Sequence, residues 1–309
     1  MQDPQSLLPI AIEAAQRAAV LLLDGLGRAS SVTTKSSGTD MVSEMDRGAE
    51  DVIRRVLSVH RPDDAVLGEE AGQSEGNPTG QGTGVRWIVD PLDGTTNFLY
   101  GLPAWCVSIA AEVDGVVVSG AVYDPIHDEM WTATKGGGAA LNGAPLSPLG
   151  GDAGLATALV ATGFSYVAER RAVQGRIAAH VLPRVRDLRR AGSAALDLCW
   201  VAGGRVDAYF EETTRIWDRA AGGLIAAEAG AWVGGYDGGA PSDAGVVAAR
   251  PALAHALREL LDEARRSAQA LEGPPEHEQA VSLVGEEARD PDRGQQPEAE
   301  PEKGPTGLG

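Results

Sequence analysis

The sequence is poor in cysteine, histidine and basic residues, and each shortage argues against a class of protein. Two cysteines, Cys106 and Cys199, are too few for a disulfide framework, and each lies in an apolar run typical of the core. The five histidines show no metal-ligand spacing, which argues against a zinc or phosphohistidine mechanism. Lysine and arginine number 26 against 44 acids, and the net charge of −18 argues against non-specific nucleic-acid binding.

Long apolar runs are also lacking. No uninterrupted stretch approaches the ~20 apolar residues of a membrane span. Residues 1–4 have neither the basic nor the apolar region that begins a signal peptide. We therefore expect a cytoplasmic protein without a membrane segment.

The acidity is uneven along the chain. Residues 272–309 carry ten acids, three bases and six prolines but no aromatic residue. Such a segment cannot offset its ordering entropy by burial, which predicts a disordered, acidic, proline-rich tail. Tails of this kind aid solubility or bind a partner, and the first use is the commoner. Residues 1–271 keep a net charge of −11.

The predicted secondary structure of those 271 residues changes near position 150. The N-terminal half, residues 1–150, has two stretches of helical periodicity and then alternating apolar runs, which predicts helices against a mostly antiparallel sheet. Asp114-Gly115 between two such runs is a strong hairpin signal. The C-terminal half, residues 151–271, alternates strands with helices, as an α/β layer does. The fold class is therefore α+β or α/β.

The most informative segment follows the apolar strand 85–89. Asp90 and Asp93 bracket Pro91, which rules out a continued central strand and directs both carboxylates off the sheet edge. Residues 94–96 (Gly-Thr-Thr) then offer free backbone N–H groups for a phosphate. Carboxylates beside such a cradle suit a phosphate bridged to Mg²⁺. The alternative is a simple Asp-Pro turn with a capping threonine.

Several strings together resemble the inositol monophosphatase family. The two longest are Asp-Pro-Leu-Asp-Gly-Thr-Thr-Asn-Phe at 90–98 and Trp-Asp-Arg-Ala-Ala-Gly-Gly at 217–223. The others are residues 40–46, 68–70, 192–197, 207–211 and 228–230. They keep the family order over about residues 5–270, and the tail has no counterpart. The resemblance implies a layered α/β/α/β/α sandwich and a Mg²⁺-dependent, lithium-sensitive phosphomonoesterase.

The resemblance also implies a set of metal ligands. Glu69, Asp90 and the backbone carbonyl of Leu92 would hold a first ion. Asp90, Asp93 and Asp218 would hold a second ion, so that Asp90 bridges the two. Glu69 would in addition serve a weaker third ion and orient the attacking water. The expected ions are two or three Mg²⁺, for which Mn²⁺ would substitute.

Further residues are implied in catalysis and substrate binding. Thr95, paired with Asp46, would polarise the attacking water, although Asp46 also suits the acidic position of a helix capping box. The N–H groups of Gly94 and Thr95 would receive the phosphate. The substrate contacts implied are Asp93, Gly94, Thr95, Gly192, Ser193, Ala194, Glu211 and Asp218.

Three neighbours of these residues have supporting roles. Glu70 is either a further ligand or lies behind the ligands, and the family pattern favours the second reading. Lys35 matches the lysine of a mobile loop near the metals. Thr96 follows the phosphate-binding pair.

The leading expectation for the reaction is hydrolysis of myo-inositol monophosphate to inositol and phosphate. The alternatives of the same fold are histidinol-phosphate phosphatase, fructose-1,6-bisphosphatase and 3′-phosphoadenosine 5′-phosphate phosphatase. Glu212 and Arg215, beside the second signature, bear on that choice. An alternative of another class is a regulatory protein that contacts the transcription machinery. We expect a small phosphorylated polyol as substrate and a homodimer, with no nucleic-acid or membrane partner.

Overall fold

Two β-sheets alternate with three helical layers in the residues that this computed structural model describes, 3–26, 44–74, 83–151 and 154–270. The helices of these segments are α1 (Pro4–Gly25), α2 (Glu44–His60), α3 (Thr95–Tyr100), α4 (Ala168–Val181), α5 (Ala194–Ala202), α6 (Ile216–Glu228) and α7 (Pro251–Ala270). The described residues up to Gln269 cluster as one compact unit. The division into halves at residue 150 stays a prediction.

The first sheet is mostly antiparallel, as expected. Its strands are β1 (Ala65–Gly68), β2 (Gly72–Ser74), β3 (Val85–Asp93), β4 (Cys106–Val113), β5 (Val116–Asp124), β6 (Glu129–Thr134), β7 (Gly138–Leu141) and β8 (Ala144–Pro145). Their order in the sheet is β2-β1-β3-β4-β5-β6-β7-β8, and β1 with β3 is the parallel pair. Asp114 and Gly115 form the predicted β4–β5 hairpin turn, with φ angles of 52° and 80°.

The second sheet is mixed. Its strands are β9 (Leu159–Thr162), β10 (Asp187–Arg189), β11 (Ala208–Glu211), β12 (Trp232–Gly234) and β13 (Val246–Ala249). They lie in the order β10-β9-β11-β13-β12. The first three strands of that order are parallel, while β13 runs antiparallel to both of its neighbours.

Separate apolar clusters join the layers. Residues of α1 and α2, such as Leu22 and Ile53, pack on one face of the first sheet. Residues of α5 and α6 pack on its other face around Trp131. The same α5 also packs on the second sheet through Leu198, and α4 and α7 cover the far side of that sheet around Phe210. This order of layers confirms the α/β/α/β/α sandwich.

Helix α1 is by length and composition the one helix of the described segments that is apolar enough to cross a membrane. Polar residues such as Glu13 and Arg17 interrupt its apolar sequence, and its buried face is rich in alanine. Leu7, Ala11, Ala18 and Leu22 on that face are fully buried in the core of the first sheet. Small side chains let the helix lie close to the strands, and this stripe is part of the protein core.

Some element boundaries differ from expectation. The polar, glycine-rich stretch 72–84 predicts a loop, but Gly72–Ser74 pair with β1, and residues 75–82 lie outside the described chain. The apolar stretch 155–162 predicts a strand from its first residue, but a 3₁₀ turn at Leu155–Thr157 precedes β9. Pro91 was expected to end the strand at Asp90, but β3 continues to Asp93. Cys106 and Cys199 are both free and buried, as predicted.

Candidate active site

A β-bulge in β3 brings two carboxylates to the same side of the sheet. Asp90 pairs with Ser108 on β4 and Asp93 pairs with Cys106, so three steps on β3 match two steps on β4. In a regular strand, residues three apart point to opposite faces. The extra residue reverses that alternation and accommodates Pro91, which has no N–H to donate. Both aspartates therefore line one cleft.

The cleft has a volume of about 610 Å³ and gathers carboxylates from distant parts of the chain. Glu69 comes from the turn after β1, Asp218 from the first turn of α6, and Glu211 from the end of β11. With Asp90, Asp93 and Asp243, six acidic side chains line the cleft. The two sheets and the helical layer between them each contribute to the site.

Burial and mutual repulsion raise the pKa of these carboxyl groups. Burial raises the pKa of Glu69 to about 8, and the nearby charges of Asp218, Asp46 and Asp93 add to the rise. Burial also raises the pKa of Asp218 to about 7, helped by repulsion from Asp93 and opposed by a hydrogen bond with Asp90. The pKa of Asp90 is raised well above its usual value for the same two reasons. Such a cluster favours either protons or cations.

The donor set of the cleft fits hard divalent cations. No histidine or cysteine is among its described lining residues, and oxygen donors alone are the preference of Mg²⁺. Within the described segments, however, no three Asp, Glu, His or Cys side chains are arranged so that they could bind one cation together. Repulsion between like charges disfavours close approach of ionised carboxylates when no cation lies between them.

Asp93 is held by the start of α5. Its Oδ2 accepts hydrogen bonds from Ser193 Oγ at 2.7 Å and from the backbone N–H of Ala195 at 2.7 Å. Burial raises the pKa of Asp93 to about 6, and these hydrogen bonds limit the rise. Ser193 is also the N-cap residue of α5 and accepts from the N–H of Leu196. It therefore fixes both a helix end and a candidate ligand.

The segment after Asp93 turns sharply into the short helix α3. Gly94 has a φ of 101°, and a Cβ there would lie 2.9 Å from the carbonyl oxygen of Ala104. Thr95 lines the cleft, and its hydroxyl donates to the carbonyl oxygen of Leu92 at 3.1 Å. The expected pairing of Thr95 with Asp46 stays a prediction. The Thr96 hydroxyl lies 3.3 Å from that of Tyr166.

Gly192, Ala194 and Glu211, which the sequence analysis expects to contact substrate, also line the cleft. Tyr209 donates its hydroxyl proton to Oε2 of Glu211 at 2.8 Å. Burial raises the pKa of Glu211 to about 7, and the bond from Tyr209 limits the rise. Gly163 leaves room for the same carboxylate, since a Cβ there would collide with it.

The remaining expected residues lie behind the cleft or outside the described chain. Asp46 is buried on α2, close enough to raise the pKa of Glu69. Glu70 lies 3.5 Å from Arg47 in an ion pair, in keeping with a place behind the ligands. Lys35 falls outside the described residues, as do Ser43 of the expected capping box and the tail 272–309.

Three residues near the cleft were not expected from the sequence. Arg170 and Arg190 line it, and Tyr209 reaches it through Glu211. The Arg190 side chain folds back over the turn at Gly192, where a Cβ would lie 2.5 Å from its Nη1. Its position just before the matched block 192–197 was the available signal. Tyr209 lies within the matched block 207–211, but its contact with Glu211 had no signal in the sequence.

Comparison with known proteins identifies the family. The sequence model of the inositol monophosphatase family matches residues 3–269. An inositol-1-monophosphatase of Mycobacterium leprae is 44% identical over 273 residues, 82% of this chain and 93% of that protein. The Nus factor SuhB of Pasteurella multocida is 42% identical over 235 residues, 75% of this chain and 86% of that protein.

A solved structure agrees with this assignment. The extragenic suppressor protein SuhB of Bartonella henselae superposes with a TM-score of 0.76 at 36% identity, covering 82% of this chain and 97% of that one. The family match covers nearly the whole described chain and includes every strand of both sheets. The chain therefore belongs to the inositol monophosphatase family.

Proposed function

We propose that this protein hydrolyses myo-inositol monophosphate to inositol and phosphate with the help of Mg²⁺. The observation that carries the proposal is the cleft in which Glu69, Asp90, Asp93 and Asp218 meet beside Gly94 and Thr95. Asp90 is buried, and Glu69, Asp93 and Asp218 beside it also have raised pKa values, so the cluster is costly unless protons or cations balance it. The family membership and the names of the relatives support the same reaction.

Each cation would have its own set of ligands. Glu69, Asp90 and the carbonyl of Leu92 would hold one ion, and Asp90, Asp93 and Asp218 a second, with Glu69 also serving a weaker third. When bound, the ions would polarise the phosphate and neutralise the charge that develops during in-line attack. Mn²⁺, with similar ligand preferences, would substitute for Mg²⁺.

The chain itself would position phosphate and water. The backbone N–H groups of Gly94 and Thr95 would donate to phosphate oxygens at the sharp turn into α3. Because the Thr95 hydroxyl donates its proton to Leu92, its oxygen is left to accept a hydrogen bond from the attacking water. In the proposed pairing with Asp46, the Thr95 hydroxyl would donate its one proton to that carboxylate instead of to Leu92, and its oxygen would still accept from the water. No covalent enzyme intermediate is needed.

The polyol would be recognised on the opposite wall. An ionised Glu211 accepts hydrogen bonds and suits the hydroxyl groups of inositol. The turn at Gly192 and Ala194 would contact the ring, with Ser193 acting through Asp93. Glu212 and Arg215 border this wall. Arg215 forms a 2.7 Å ion pair with Asp243, another lining residue, which holds its charge away from a monophosphate.

A substrate panel tests the reaction. We expect inositol 1-phosphate to release phosphate faster than histidinol phosphate, fructose 1,6-bisphosphate or 3′-phosphoadenosine 5′-phosphate, in the presence of Mg²⁺ and not in EDTA. Asp93→Asn, purified in parallel, should lose at least about a hundredfold in kcat, ~2.7 kcal/mol of transition-state stabilisation. Because Arg170 and Arg190 line the cleft, a bisphosphate is the most demanding alternative substrate. Faster turnover of a bisphosphate than of inositol 1-phosphate would contradict the inositol assignment.

A second candidate is a regulatory role, because one relative is named a Nus factor. The same Asp93→Asn variant distinguishes the two. If it restores the phenotype of a deletion strain as well as the native protein does, turnover is not the biological role. We expect it to fail.

We also propose a cytoplasmic homodimer. Light scattering on the purified protein should give twice the mass of one chain. The mass of a single chain would contradict the dimer but would leave the proposed hydrolysis reaction unaffected.

A further inference from the structure

We propose that Glu50 and Arg54 of α2 are positioning residues that present Glu69, rather than the adjacent Glu70, to the metal. The inference rests on the proposed function, because it takes Glu69 to be a metal ligand. Two neighbouring glutamates follow β1, and their chemistry is identical. What distinguishes them is the way in which the backbone of the β1–β2 turn is held, and α2 holds it.

Glu50 binds the turn through its backbone. Its Oε2 accepts from the N–H of Glu70 at 2.8 Å, and its Oε1 accepts from the N–H of Ala71 at 3.2 Å. The side chain is almost completely buried, with 1% of its surface exposed. Two backbone N–H groups bonded to one carboxylate fix the orientation of the peptide units on either side of Glu70.

Arg54 completes the hold on the other side of the turn. Its Nε donates to Oε1 of Glu50 at 2.7 Å, which balances the buried charge. Its two terminal nitrogens donate to the carbonyl oxygen of Gly72 at 2.7 Å and to Oγ of Ser74 at 2.8 Å. Glu50 and Arg54 are four residues apart, so one face of α2 binds both the β1–β2 turn and strand β2.

The close approach of α2 depends on Gly68. A Cβ at this position would collide with the carboxylate of Glu50, so the absence of a side chain lets the helix reach the turn. With the backbone fixed in this way, Glu69 lines the cleft and Glu70 lies beside Arg47, at 3.5 Å. Successive residues in an extended turn point in opposite directions, and the orientation of the peptide decides which one faces the metal.

The pairing with Arg54 also keeps Glu50 out of competition for the cation. Glu50 satisfies two backbone donors and one guanidinium, and it is absent from the lining of the cleft. Glutamine at position 50 would have one acceptor oxygen, whereas the carboxylate now offers two oxygens to three donors. The NH₂ group of the glutamine would face one of these donors and could not accept its hydrogen bond. The turn would then lose its preferred orientation while the core of α2 stays intact.

The test is direct metal binding, measured by calorimetry with Mn²⁺ on the full chain. Glu50→Gln should weaken Mn²⁺ binding about 10- to 100-fold, the usual cost of removing a residue that orients a ligand. The matched control is Asp124→Asn. Asp124 is equally buried and accepts from the backbone N–H groups of Ile126 and His127, but it lies outside the lining of the cleft. That variant should bind Mn²⁺ like the native protein.

The outcomes separate the two proposals. If the native protein binds no Mn²⁺, the proposed metal site fails. If the native protein binds Mn²⁺ and a folded Glu50→Gln binds it equally well, the positioning role fails while the site stands. Should Glu50→Gln not fold, Arg54→Lys serves instead, since it keeps the positive charge but loses the contacts to Gly72 and Ser74. It should weaken Mn²⁺ binding several-fold, and unchanged binding would overturn the inference.

Discussion

At the scale of single residues, the charge of Glu211 depends on a buried tyrosine. The hydroxyl of Tyr209 lies 2.8 Å from the carboxylate, and the Tyr209 side chain is fully buried. Burial of Glu211 raises its pKa to about 7, and this hydrogen bond is the main influence that opposes the rise. In the proposed substrate complex, a hydroxyl that donates to Glu211 would therefore need a pH near that value or above, where the carboxylate is ionised.

Tyr209→Phe should raise the pKa of Glu211 further and so raise KM for inositol phosphate at pH 7. The loss of one hydrogen bond, about 1 kcal/mol, corresponds to about a fivefold change in KM. The effect should shrink at pH 9, where Glu211 is ionised in both proteins, and kcat should change less than KM. Steady-state kinetics at the two pH values measure this.

The control for that variant is Tyr123→Phe, since Tyr123 donates to Asp128 on an exposed turn. An equal rise in KM for both variants, or a fall in kcat alone, would contradict the role of Tyr209.

The residues of the proposed metal site could be named from the sequence because each lies in a string with its own local chemistry. The roles of Tyr209 and Glu50 could not be named, although Tyr209 lies within the matched string 207–211. Tyr209 looks like any inward aromatic residue of a strand, and Glu50 like one charge on an amphipathic helix. Their partners are decided by packing between elements, and Glu50 bonds to a backbone group 20 residues away. The spacing of residues along the sequence does not predict such contacts between elements.

At the scale of elements, the start of α5 serves both the fold and the site. Ser193 caps the helix and donates to Asp93. Loss of a helix cap costs about 1 kcal/mol of folding free energy. Ser193→Ala should therefore lower the free energy of unfolding by at least that amount and also reduce kcat. Urea denaturation and phosphate release measure the two effects.

Ser58→Ala is the matched control, because the exposed Ser58 hydroxyl donates to the carbonyl oxygen of Arg55 within α2. It should change the free energy of unfolding by no more than about 0.5 kcal/mol. A Ser193→Ala protein as stable and as active as this control would argue against the double role.

The long helices and the central strands of the first sheet were predictable because each spans several repeats of its apolar period. The strands β2, β8 and β10 have only two or three residues, too few to establish any alternation. The bulge in β3 was hidden for a different reason. Pro91 signals an end to regular pairing, but only the partner strand shows that pairing resumes at Asp93.

At the scale of the whole molecule, the acidic cluster makes stability depend on pH and on metal. Glu69, Asp93, Glu211 and Asp218 have folded-state pKa values of about 8, 6, 7 and 7, above the ordinary 4.5 of Glu and 3.8 of Asp. At a pH between the ordinary pKa and the folded-state pKa of these groups, the folded protein binds more protons than the unfolded chain. Stability contributed by these groups is thus complete below about pH 4 and is lost as the pH rises towards 8.

Thermal unfolding in EDTA should accordingly show a Tm that falls between about pH 5 and pH 8. Addition of Mg²⁺ should raise Tm more at pH 8 than at pH 5.5, because cations replace protons on the carboxylates. An Asp93→Asn variant should show a smaller response to Mg²⁺. A Tm that rises with pH in EDTA would contradict the predicted direction.

The helical layer of α5 and α6 has a consequence for how the chain folds. These helices cover the inner faces of both sheets, so neither sheet can complete its core until the chain between residues 194 and 228 has arrived. For the first sheet this means closing a long loop before its inner side chains leave water. Contacts so distant in sequence slow the search for the native state. Ribosomal synthesis of the first sheet alone would leave Trp131 and its neighbours exposed, and the nascent chain would need protection until α6 emerges.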